Sequence, residues 1–471
     1  MAVSFAGPRG RTTRLAWGQQ TTWDDIQFFL PEVKYFSFLR AAAPVAEGMD
    51  LDGVLDCVRD LLVRHDCLRT TIVTEPDGSV LQTVRERGEL PVELVHAGSD
   101  TDEAVEAQAV AVWNRLRSRN FDHANEFPVR CAVVLRDASP ARVVLCLSHA
   151  VADWQTARLV GREMADIMAS RSAGRTDSGP VPPPGPADLA QYEASPQGQQ
   201  LNAAALEHYR EQLSRFPSTM FGTPVPVASP RYLGAGLESS AVPLALGVLG
   251  ARYRTGTSAL LLAVTAALLG GLTGDRRCAL MLLSGNRTTV GTRQALGSLG
   301  QTVPTIIEPA SDSFADLVEA ASSSSLRAYR RGRFDPRAAA SLVAEEERLR
   351  GHRLDLGCRF NDMWSPGASA PSDTSLDQIR EAAATTRFTW TGGTDADKIT
   401  FFLDVFGPAQ TATLHLLADS HRIPEESIRG FLLGVEAVLL DLLKPFEPRG
   451  GEPTVTELQA VAGLTAPCTA E

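Results

Sequence analysis

The stretch RSAGRTDSGPVPPPGPADL, residues 171–189, divides this sequence into two halves of similar pattern. Its five prolines and its clustered glycines and serines are typical of a surface linker, because they do not suit the interior of a helix or a central strand. With 471 residues, the chain also exceeds the roughly 250–300 residues that a single hydrophobic core usually serves. The sequence therefore predicts two lobes, 1–178 and 201–450, a linker at 179–200 and a polar, loosely held tail at 451–471.

Both halves mix helical and strand patterns. Residues 51–65 place apolar side chains at helical spacing, and residues 70–84 carry two β-branched runs around a Pro-Asp-Gly turn, which predicts a hairpin. In the second half, residues 257–274 read as a buried helix and residues 397–421 as another hairpin. The expected fold class is therefore α/β with mixed α+β character.

Composition excludes several classes of protein. The net charge is −11 and the seven cysteines form no CxxC pair, so the sequence predicts no nucleic-acid partner, no disulfide framework and no cysteine zinc site. The N-terminus lacks the apolar core of a secretory signal, and the apolar stretch 259–272 is shorter than the roughly 20 residues that a membrane span needs. We expect a cytoplasmic protein that does not bind membranes.

The motif SHAVADW, residues 148–154, is the strongest candidate for chemistry. It follows ARVVLCL, a run of β-branched and apolar residues that predicts a strand buried on both faces. Polar groups just beyond the end of such a strand can reach a cleft. His149 is notable because the unperturbed pKa of imidazole lies near neutral pH, where this side chain can both accept and return a proton.

Other catalytic signatures are missing from the sequence. The histidines show no HxxxH or HxH spacing, which predicts that the protein holds no metal. SGNRTT lacks the P-loop pattern, and no G-x-S-x-G elbow occurs, so neither a nucleotide nor a serine hydrolase is indicated. His65 in RHDCLRT has a scaffold interpretation, in which the flanking Arg64 and Arg69 form internal ion pairs.

Six segments in this order resemble the motifs of one family, the condensation domains of nonribosomal peptide synthetases, which are relatives of chloramphenicol acetyltransferase. The segments are LAWGQQTTW (15–23), RHDCLRT (64–70), SHAVADWQT (148–156), DLAQYEAS with LEHYREQL (188–213), SGNRTT with LGSLGQTVP (284–304) and RAYRRGRFDP (327–336). RHDCLRT is the most specific match, and the last two segments are the least specific. The resemblance covers residues 12 to 445.

The resemblance implies a fold and an activity. It implies two chloramphenicol acetyltransferase-like lobes in a V-shaped pseudo-dimer, with a tunnel between them that two carrier-borne substrates enter. The implied reaction transfers an acyl or aminoacyl thioester from the 4'-phosphopantetheine of an acyl or peptidyl carrier protein to an amine, or alternatively an alcohol, in antibiotic or other secondary-metabolite biosynthesis. No cofactor bound by the protein itself is expected, and a free-standing monomer is the expected state.

The resemblance also implies a role for each residue of the SHAVADW motif. His149 is the implied catalytic residue, and Asp153 is a structural residue whose expected partner is Arg287. Ser148 stands where the family has a first histidine, and Trp154 stands where it has glycine. An indole at 154 is expected either to fill part of the tunnel or to change the shape of the loop.

These two departures leave alternatives open. One is a catalytically degenerate domain that recruits a carrier protein or a tailoring enzyme, and another is an acyltransferase that uses coenzyme A. Ser298 and Gln301 are candidates for residues that line the tunnel. A cluster of five arginines is interpreted either as a solvated helix face or as a docking site for an acidic carrier protein. The cluster comprises Arg327, Arg330, Arg331, Arg333 and Arg337.

Overall fold

The computed structural model describes residues 1–8, 10–32, 34–175, 182–225, 229–289, 291–364, 374–444 and 451–464. The chain forms two compact units. The first comprises Met1–Ala203, Gly285–Gln301 and Arg333–Pro336, and the second comprises Ala204–Ser284, Thr302–Gly332 and Arg337–Glu471. Two segments that the sequence assigns to the second lobe, 285–301 and 333–336, thus belong to the first unit.

The first unit contains a five-stranded sheet and a three-stranded sheet. Its elements are β1 (Ala2–Ala6), β2 (Arg11–Arg14), α1 (Trp17–Phe29), β3 (Phe38–Pro44), α2 (Leu51–Arg64), β4 (Thr70–Thr74), β5 (Val80–Val84), β6 (Arg87–His96), α3 (Asp102–Leu116), β7 (Val129–Arg136), β8 (Ser139–Ser148), α4 (Trp154–Ser172) and α5 (Pro186–Ala194). The larger sheet has the order β1-β6-β7-β8-β3, and the smaller has the order β2-β5-β4. Pairing is antiparallel throughout both sheets except between β6 and β7.

Strand β8 is an inner strand of the larger sheet. It pairs with β7 on one side and β3 on the other, and Val143–Ser148 are all buried. Helix α4 follows after a short loop, and it buries Val160, Met164 and Met168 in the core of this unit. The predicted buried strand, the predicted helix at residues 51–65 and the hairpin β4–β5 are therefore confirmed.

The second unit is built on a seven-stranded sheet with the order β11-β10-β12-β14-β15-β9-β13. Helix α6 (Pro196–Arg215) contains the point at which the two units divide. The later elements are β9 (Tyr232–Ser239), α7 (Ala241–Tyr253), α8 (Thr257–Thr273), β10 (Cys278–Ser284), β11 (Gln301–Ile307), α9 (Phe314–Arg330), α10 (Pro336–Arg350), β12 (Cys358–Asp362), α11 (Leu376–Ala383), β13 (Arg387–Thr394), β14 (Phe401–Phe406), β15 (Ala412–Asp419), α12 (Glu425–Leu442) and α13 (Val455–Val461).

Helix α8 forms the core of the second unit, as its sequence predicts. All its residues from Leu260 to Gly271 are buried, and it packs against α7, α9, α12 and α13. The helix stops at Gly274, which has φ 74°, a left-handed conformation that glycine adopts without a Cβ penalty. The predicted hairpin also forms, as β14 and β15.

The predicted linker is only partly a linker. Residues 179–181 lie outside the described residues, but residues 182–200 include α5 and the start of α6. Pro186 is the first residue of α5, where a missing N–H costs nothing, and Asp188 accepts a hydrogen bond from the Gly185 N–H at 2.9 Å. The same prolines that suggested a linker therefore mark the beginning of a helix.

The predicted loose tail also requires a correction. Residues 465–471 lie outside the described residues, but α13 packs against α8 and α12 and buries Val455 and Leu458. Thr454 caps this helix by accepting a hydrogen bond from the Glu457 N–H at 3.2 Å. This short helix has only two apolar residues on one face and polar surroundings, so its sequence resembles that of a loose tail.

No helix in the described part of the chain is by itself long and apolar enough to cross a membrane. Helices α7 and α8 meet the length and composition requirements only as a pair, and that pair is bent by 98°.

A candidate active site at the end of strand β8

The loop that follows β8 is held by its backbone on both sides. The Ser148 N–H donates to the Pro128 carbonyl at 2.9 Å, and the His149 N–H donates to the Ser37 carbonyl at 2.9 Å. Ser37 immediately precedes β3, the strand that pairs with β8. The loop therefore leaves the sheet in a fixed direction, and His149 stands just beyond the buried part of the strand.

The imidazole of His149 is half-buried and its orientation is fixed by one hydrogen bond. Its Nδ1 lies 2.7 Å from the Ala152 carbonyl oxygen. Because a carbonyl oxygen can only accept, Nδ1 carries the hydrogen, and in the neutral ring the lone pair is on Nε2. Within the described residues Nε2 has no hydrogen-bond partner, and the Phe36 ring lies edge-on with a centroid distance of 6.5 Å.

Asp153 and Arg287 form the bidentate ion pair that the sequence predicted. Arg287 Nη1 donates to Asp153 Oδ2 at 2.6 Å, and Nη2 donates to Oδ1 at 2.8 Å. Both side chains are nearly buried, with exposed fractions of 11% for the arginine and 13% for the aspartate. Asp153 also caps α4, because Oδ1 accepts from the Thr156 N–H at 2.9 Å.

The ion pair extends into a network that joins the start of α4 to residues 295–299. Arg287 Nη2 donates to Thr156 Oγ1 at 3.0 Å and to the Ala295 carbonyl at 3.1 Å. The Thr156 hydroxyl donates to the Gly297 carbonyl at 2.9 Å. Asp153 Oδ2 accepts from the Leu299 N–H at 3.2 Å. Both carboxylate oxygens of Asp153 are therefore engaged in hydrogen bonds that connect the start of α4 to Arg287 and Leu299.

Ser148 is fully buried and bonds to a histidine that the sequence motifs did not identify. His123 Nε2 lies 2.7 Å from Ser148 Oγ, and Oγ also accepts from the Ala150 N–H at 3.2 Å. Burial lowers the pKa of His123 to about 4, so this ring is neutral at physiological pH. An imidazole thus lies beside the position where the family has its first histidine. No spacing pattern pointed to His123, because it comes from the loop before β7.

Trp154 is the first residue of α4 and is half-buried. Its backbone does not have positive φ, so the loop accepts a side chain here without a conformation that favours glycine. The guanidinium of Arg158, one turn later, lies over the indole at 4.6 Å from the ring centroid.

Arg333 belongs to a second buried ion pair and corrects one of the sequence interpretations. It was grouped with four exposed arginines, but its side chain is only 15% exposed and pairs with Glu193 of α5. Arg333 Nε donates to Glu193 Oε1 at 3.1 Å, and the Trp17 N–H at the start of α1 donates to Oε2 at 2.7 Å. Burial raises the pKa of Glu193 to about 7, although Arg333 and the Trp17 N–H oppose the shift.

The other motif residues have structural contacts. Arg64 and His65 both bond to Glu163, with His65 Nε2 at 2.8 Å from the carboxylate, and Arg69 pairs with Asp66, so RHDCLRT is a scaffold.

The two residues that the sequence suggested as tunnel-lining, Ser298 and Gln301, are buried, and each forms a hydrogen bond. The Ser298 hydroxyl bonds to the Thr22 hydroxyl at 2.7 Å, and the Gln301 amide donates to the Phe334 carbonyl at 2.9 Å. In the described part of the chain, no cluster of three or more His, Cys, Asp or Glu side chains is arranged to hold a metal ion.

Two solved structures share this fold. The condensation domain from the monacolin K polyketide synthase MokA has a TM-score of 0.69 at 16% identity, covering 94% of this chain and 99% of that one. The X-domain in its complex with OxyB from teicoplanin biosynthesis has a TM-score of 0.64 at 16% identity, covering 96% and 97%. The chain therefore has the chloramphenicol acetyltransferase-like fold of condensation domains.

Sequence comparison establishes the family. The condensation-domain profile matches residues 27–379, a range that includes His149, Asp153 and Arg287, so the chain belongs to the condensation-domain family. It is 28% identical over 176 residues, 37% of its length, to the probable non-canonical nonribosomal peptide synthetase CymA of Salinispora arenicola (strain CNS-205). That match spans only 2% of CymA.

Proposed function

We propose that this protein transfers an acyl or aminoacyl group from the 4'-phosphopantetheine of a carrier protein to an amine, with His149 as the catalytic residue. The observation that carries this proposal is the hydrogen bond from His149 Nδ1 to the Ala152 carbonyl at 2.7 Å. This bond leaves Nε2 as the basic nitrogen at the end of β8. Membership of the condensation-domain family and the similarity to a peptide synthetase support a carrier-bound thioester as the donor.

The proposed step needs one group that accepts a proton and returns it. The amine nitrogen attacks the thioester carbonyl carbon, and the carbonyl π pair moves onto oxygen. As the C–N bond forms, His149 Nε2 takes a proton from the nitrogen. The C–S bond then breaks, and the imidazolium returns the proton to the leaving thiolate. The products are an amide and a free phosphopantetheine thiol, and His149 ends in its starting state.

Asp153 and Arg287 act in this proposal as positioning residues. Their ion pair, with Thr156, fixes the beginning of α4 and therefore the end of the loop that carries the histidine. Neither side chain has to contact the substrate for this role. Acyl transfer depends on orientation within fractions of an ångström, so a loosened loop lowers the rate even when His149 is intact.

The test compares two histidine substitutions in the full chain. A fatty acyl group loaded on an acyl carrier protein serves as donor, an amine panel serves as acceptor, and amide formation and thiol release are measured by mass spectrometry. We expect His149→Ala to lower kcat/KM by about 10²- to 10⁴-fold, which is the usual contribution of a general base. The matched control is His96→Ala. His96 Nδ1 also donates to a backbone carbonyl, that of Asp137 at 3.0 Å, but His96 is exposed at the end of β6. Equal rates for wild type and His149→Ala would contradict the proposal.

A second candidate function is recruitment of a carrier protein or tailoring enzyme without catalysis. The replacement of the family's first histidine by Ser148 favours it, and one structural neighbour is an X-domain in complex with another protein. In the same assay, wild-type protein that binds the carrier but never forms an amide supports recruitment. A parallel reaction with acyl-CoA as donor tests the third reading, in which coenzyme A replaces the carrier.

A further inference from the structure

Helix α4 carries a tryptophan and two arginines in one row. Trp154, Arg158 and Arg162 are spaced four residues apart, which places them on the same face of the helix. The core-facing side of α4 is different, because Val160 and Met164 are buried. Arg158 is half-buried and Arg162 is exposed. The row begins five residues after His149 and extends roughly 12 Å along the helix axis.

The two arginines of this row have no anionic partner among the residues that the structure describes. Neither forms an ion pair or a hydrogen bond with any residue that the structure describes. The pKa of Arg158 lies below its usual value because of burial and the nearby charge of Arg162. Arg171 on the same helix behaves differently, since it pairs with Asp56 at 3.0 Å and Asp60 at 2.6 Å. In a chain with net charge −11, two adjacent uncompensated guanidinium groups are an unfavourable local arrangement.

Trp154 orients the first of these cations. The indole holds the Arg158 guanidinium over its face at 4.6 Å, which restricts a side chain that otherwise has many rotamers. A guanidinium that is already ordered loses less entropy when it binds a ligand. The row therefore has two features of a binding site for an anion, namely charge that is not neutralised and a preorganised donor.

We infer that Trp154, Arg158 and Arg162 form a site for the phosphate of the 4'-phosphopantetheine group that a carrier protein presents. This inference rests on the proposed function. Guanidinium groups match phosphate oxygens in geometry and charge, and two of them on neighbouring turns contact one phosphate from the same side. The pantetheine arm is about as long as five extended residues, roughly 16 Å. That length is of the same order as the row, so the thioester can lie near His149 while the phosphate lies at the arginines.

The test measures binding of small probes to the full chain by titration calorimetry at low salt. The probes are 4'-phosphopantetheine, pantetheine without the phosphate, coenzyme A and 3'-dephospho-coenzyme A. We expect wild-type protein to bind 4'-phosphopantetheine at least about tenfold more tightly than pantetheine, and added salt to reduce the difference. The double substitution Arg158→Gln and Arg162→Gln should remove the preference, and Arg171→Gln should keep it.

Three outcomes overturn the inference. The first is equal affinity of the wild type for 4'-phosphopantetheine and pantetheine, and the second is a preference that survives in the double variant. The third is arginine-dependent binding seen only with coenzyme A and lost with its 3'-dephospho form, which assigns the arginines to a nucleotide phosphate instead of a carrier.

Failure of the inference can be separated from failure of the proposed function. If His149→Ala abolishes amide formation but the arginine variants bind the probes like wild type, the inference fails and the function stands. If wild type forms no amide but its phosphate preference depends on Arg158 and Arg162, the function fails and the site stands.

Discussion

Two buried ion pairs in the first unit are built in the same way but hold different segments of the chain. In each, a carboxylate that also accepts from an N–H in a helix's first turn pairs with an arginine from much later in the chain. Asp153 pairs with Arg287 and Glu193 pairs with Arg333, at separations of 134 and 140 residues. The first pair fixes the loop of His149, whereas the second fixes α5 against the start of α1.

A buried ion pair marks a junction between segments and does not by itself mark an active site. Both arginines lie on the segments 285–301 and 333–336 that complete the first unit. What distinguishes the Asp153 pair is its neighbour, a histidine whose Nε2 has no partner in the described residues. The Glu193 pair holds a carboxylate whose pKa is raised by burial, but the proposed reaction does not use it.

The largest effect should come from removing the arginines, and it should separate the two junctions. Arg287→Ala and Arg333→Ala each leave a buried carboxylate unpaired, so we expect each to lower the free energy of unfolding by about 3–5 kcal/mol. At low temperature, where both variants remain folded, Arg287→Ala should also lose amide formation and Arg333→Ala should keep it. Arg171→Ala, with a side chain that is 39% exposed, is the control and should cost less than about 1 kcal/mol. If folded samples of both variants lost activity equally, the expectation that only the Asp153–Arg287 pair matters for amide formation would be wrong.

A second effect is the pH dependence that Glu193 confers. Its folded pKa of about 7 lies above the unfolded value, so the folded state binds the proton more tightly, and the free energy of unfolding falls as pH rises from about 4.5 to 7. In denaturant titrations at several pH values, the slope in Glu193→Gln should be shallower than in wild type. It should not vanish, because burial also raises the pKa of Asp404 to about 7 and that of Asp362 to about 6. Glu126 provides a control, because its pKa is lowered on folding and its effect on the pH dependence of stability has the opposite sign.

The Glu126 control depends on the arginines that surround this carboxylate. Hydrogen bonds from Arg119 and Arg130 outweigh burial and hold the pKa of Glu126 at about 2. Its stabilisation is therefore present above about pH 4.5 and is lost as pH falls toward 2. Glu126→Gln should remove that loss at low pH and leave the slope from 4.5 to 7 unchanged. A slope in Glu193→Gln that is as steep as in wild type would show that Glu193 does not contribute to it.

A smaller effect should come from the hydrogen bond between Ser148 and His123 at the start of the His149 loop. Ser148→Ala leaves the buried His123 Nε2 without its partner at 2.7 Å, so we expect a loss of about 1–3 kcal/mol in the free energy of unfolding. Ser118→Ala is the control, because its hydroxyl bonds to the Arg115 carbonyl in an exposed position. If Ser148→Ala were as stable as Ser118→Ala, the ion pair alone would hold the loop.

The smallest effect should follow Trp154→Ala. This substitution removes the stacking of Arg158 but keeps the Asp153 cap and the ion pair, so thermal unfolding should show a loss of less than about 1 kcal/mol. A loss as large as that of Arg287→Ala would mean that the indole, and not the Asp153 pair, holds the loop.

Local patterns were sufficient for much of the fold. The β-branched run of β8, the turn between β4 and β5 and the apolar spacing of α2 all predicted the elements that form. The pairing of Asp153 with Arg287 came from a resemblance to family motifs. The contact of His123 with Ser148 and the pair of Glu193 with Arg333 were not predicted. The residues of these pairs are 25 and 140 positions apart, and no local sequence pattern indicates such contacts.

Local sequence is enough to place His149 just beyond the sheet, because SHAVADW directly follows a strand that is buried on both faces. The tautomer of this ring, the contact of the buried His123 with Ser148 and the burial of Arg287 and Arg333 all depend on the folded chain. The physical reason is that strands and caps depend on neighbours along the chain. The partner of a buried polar group is instead whichever residue the folded backbone brings within hydrogen-bond distance.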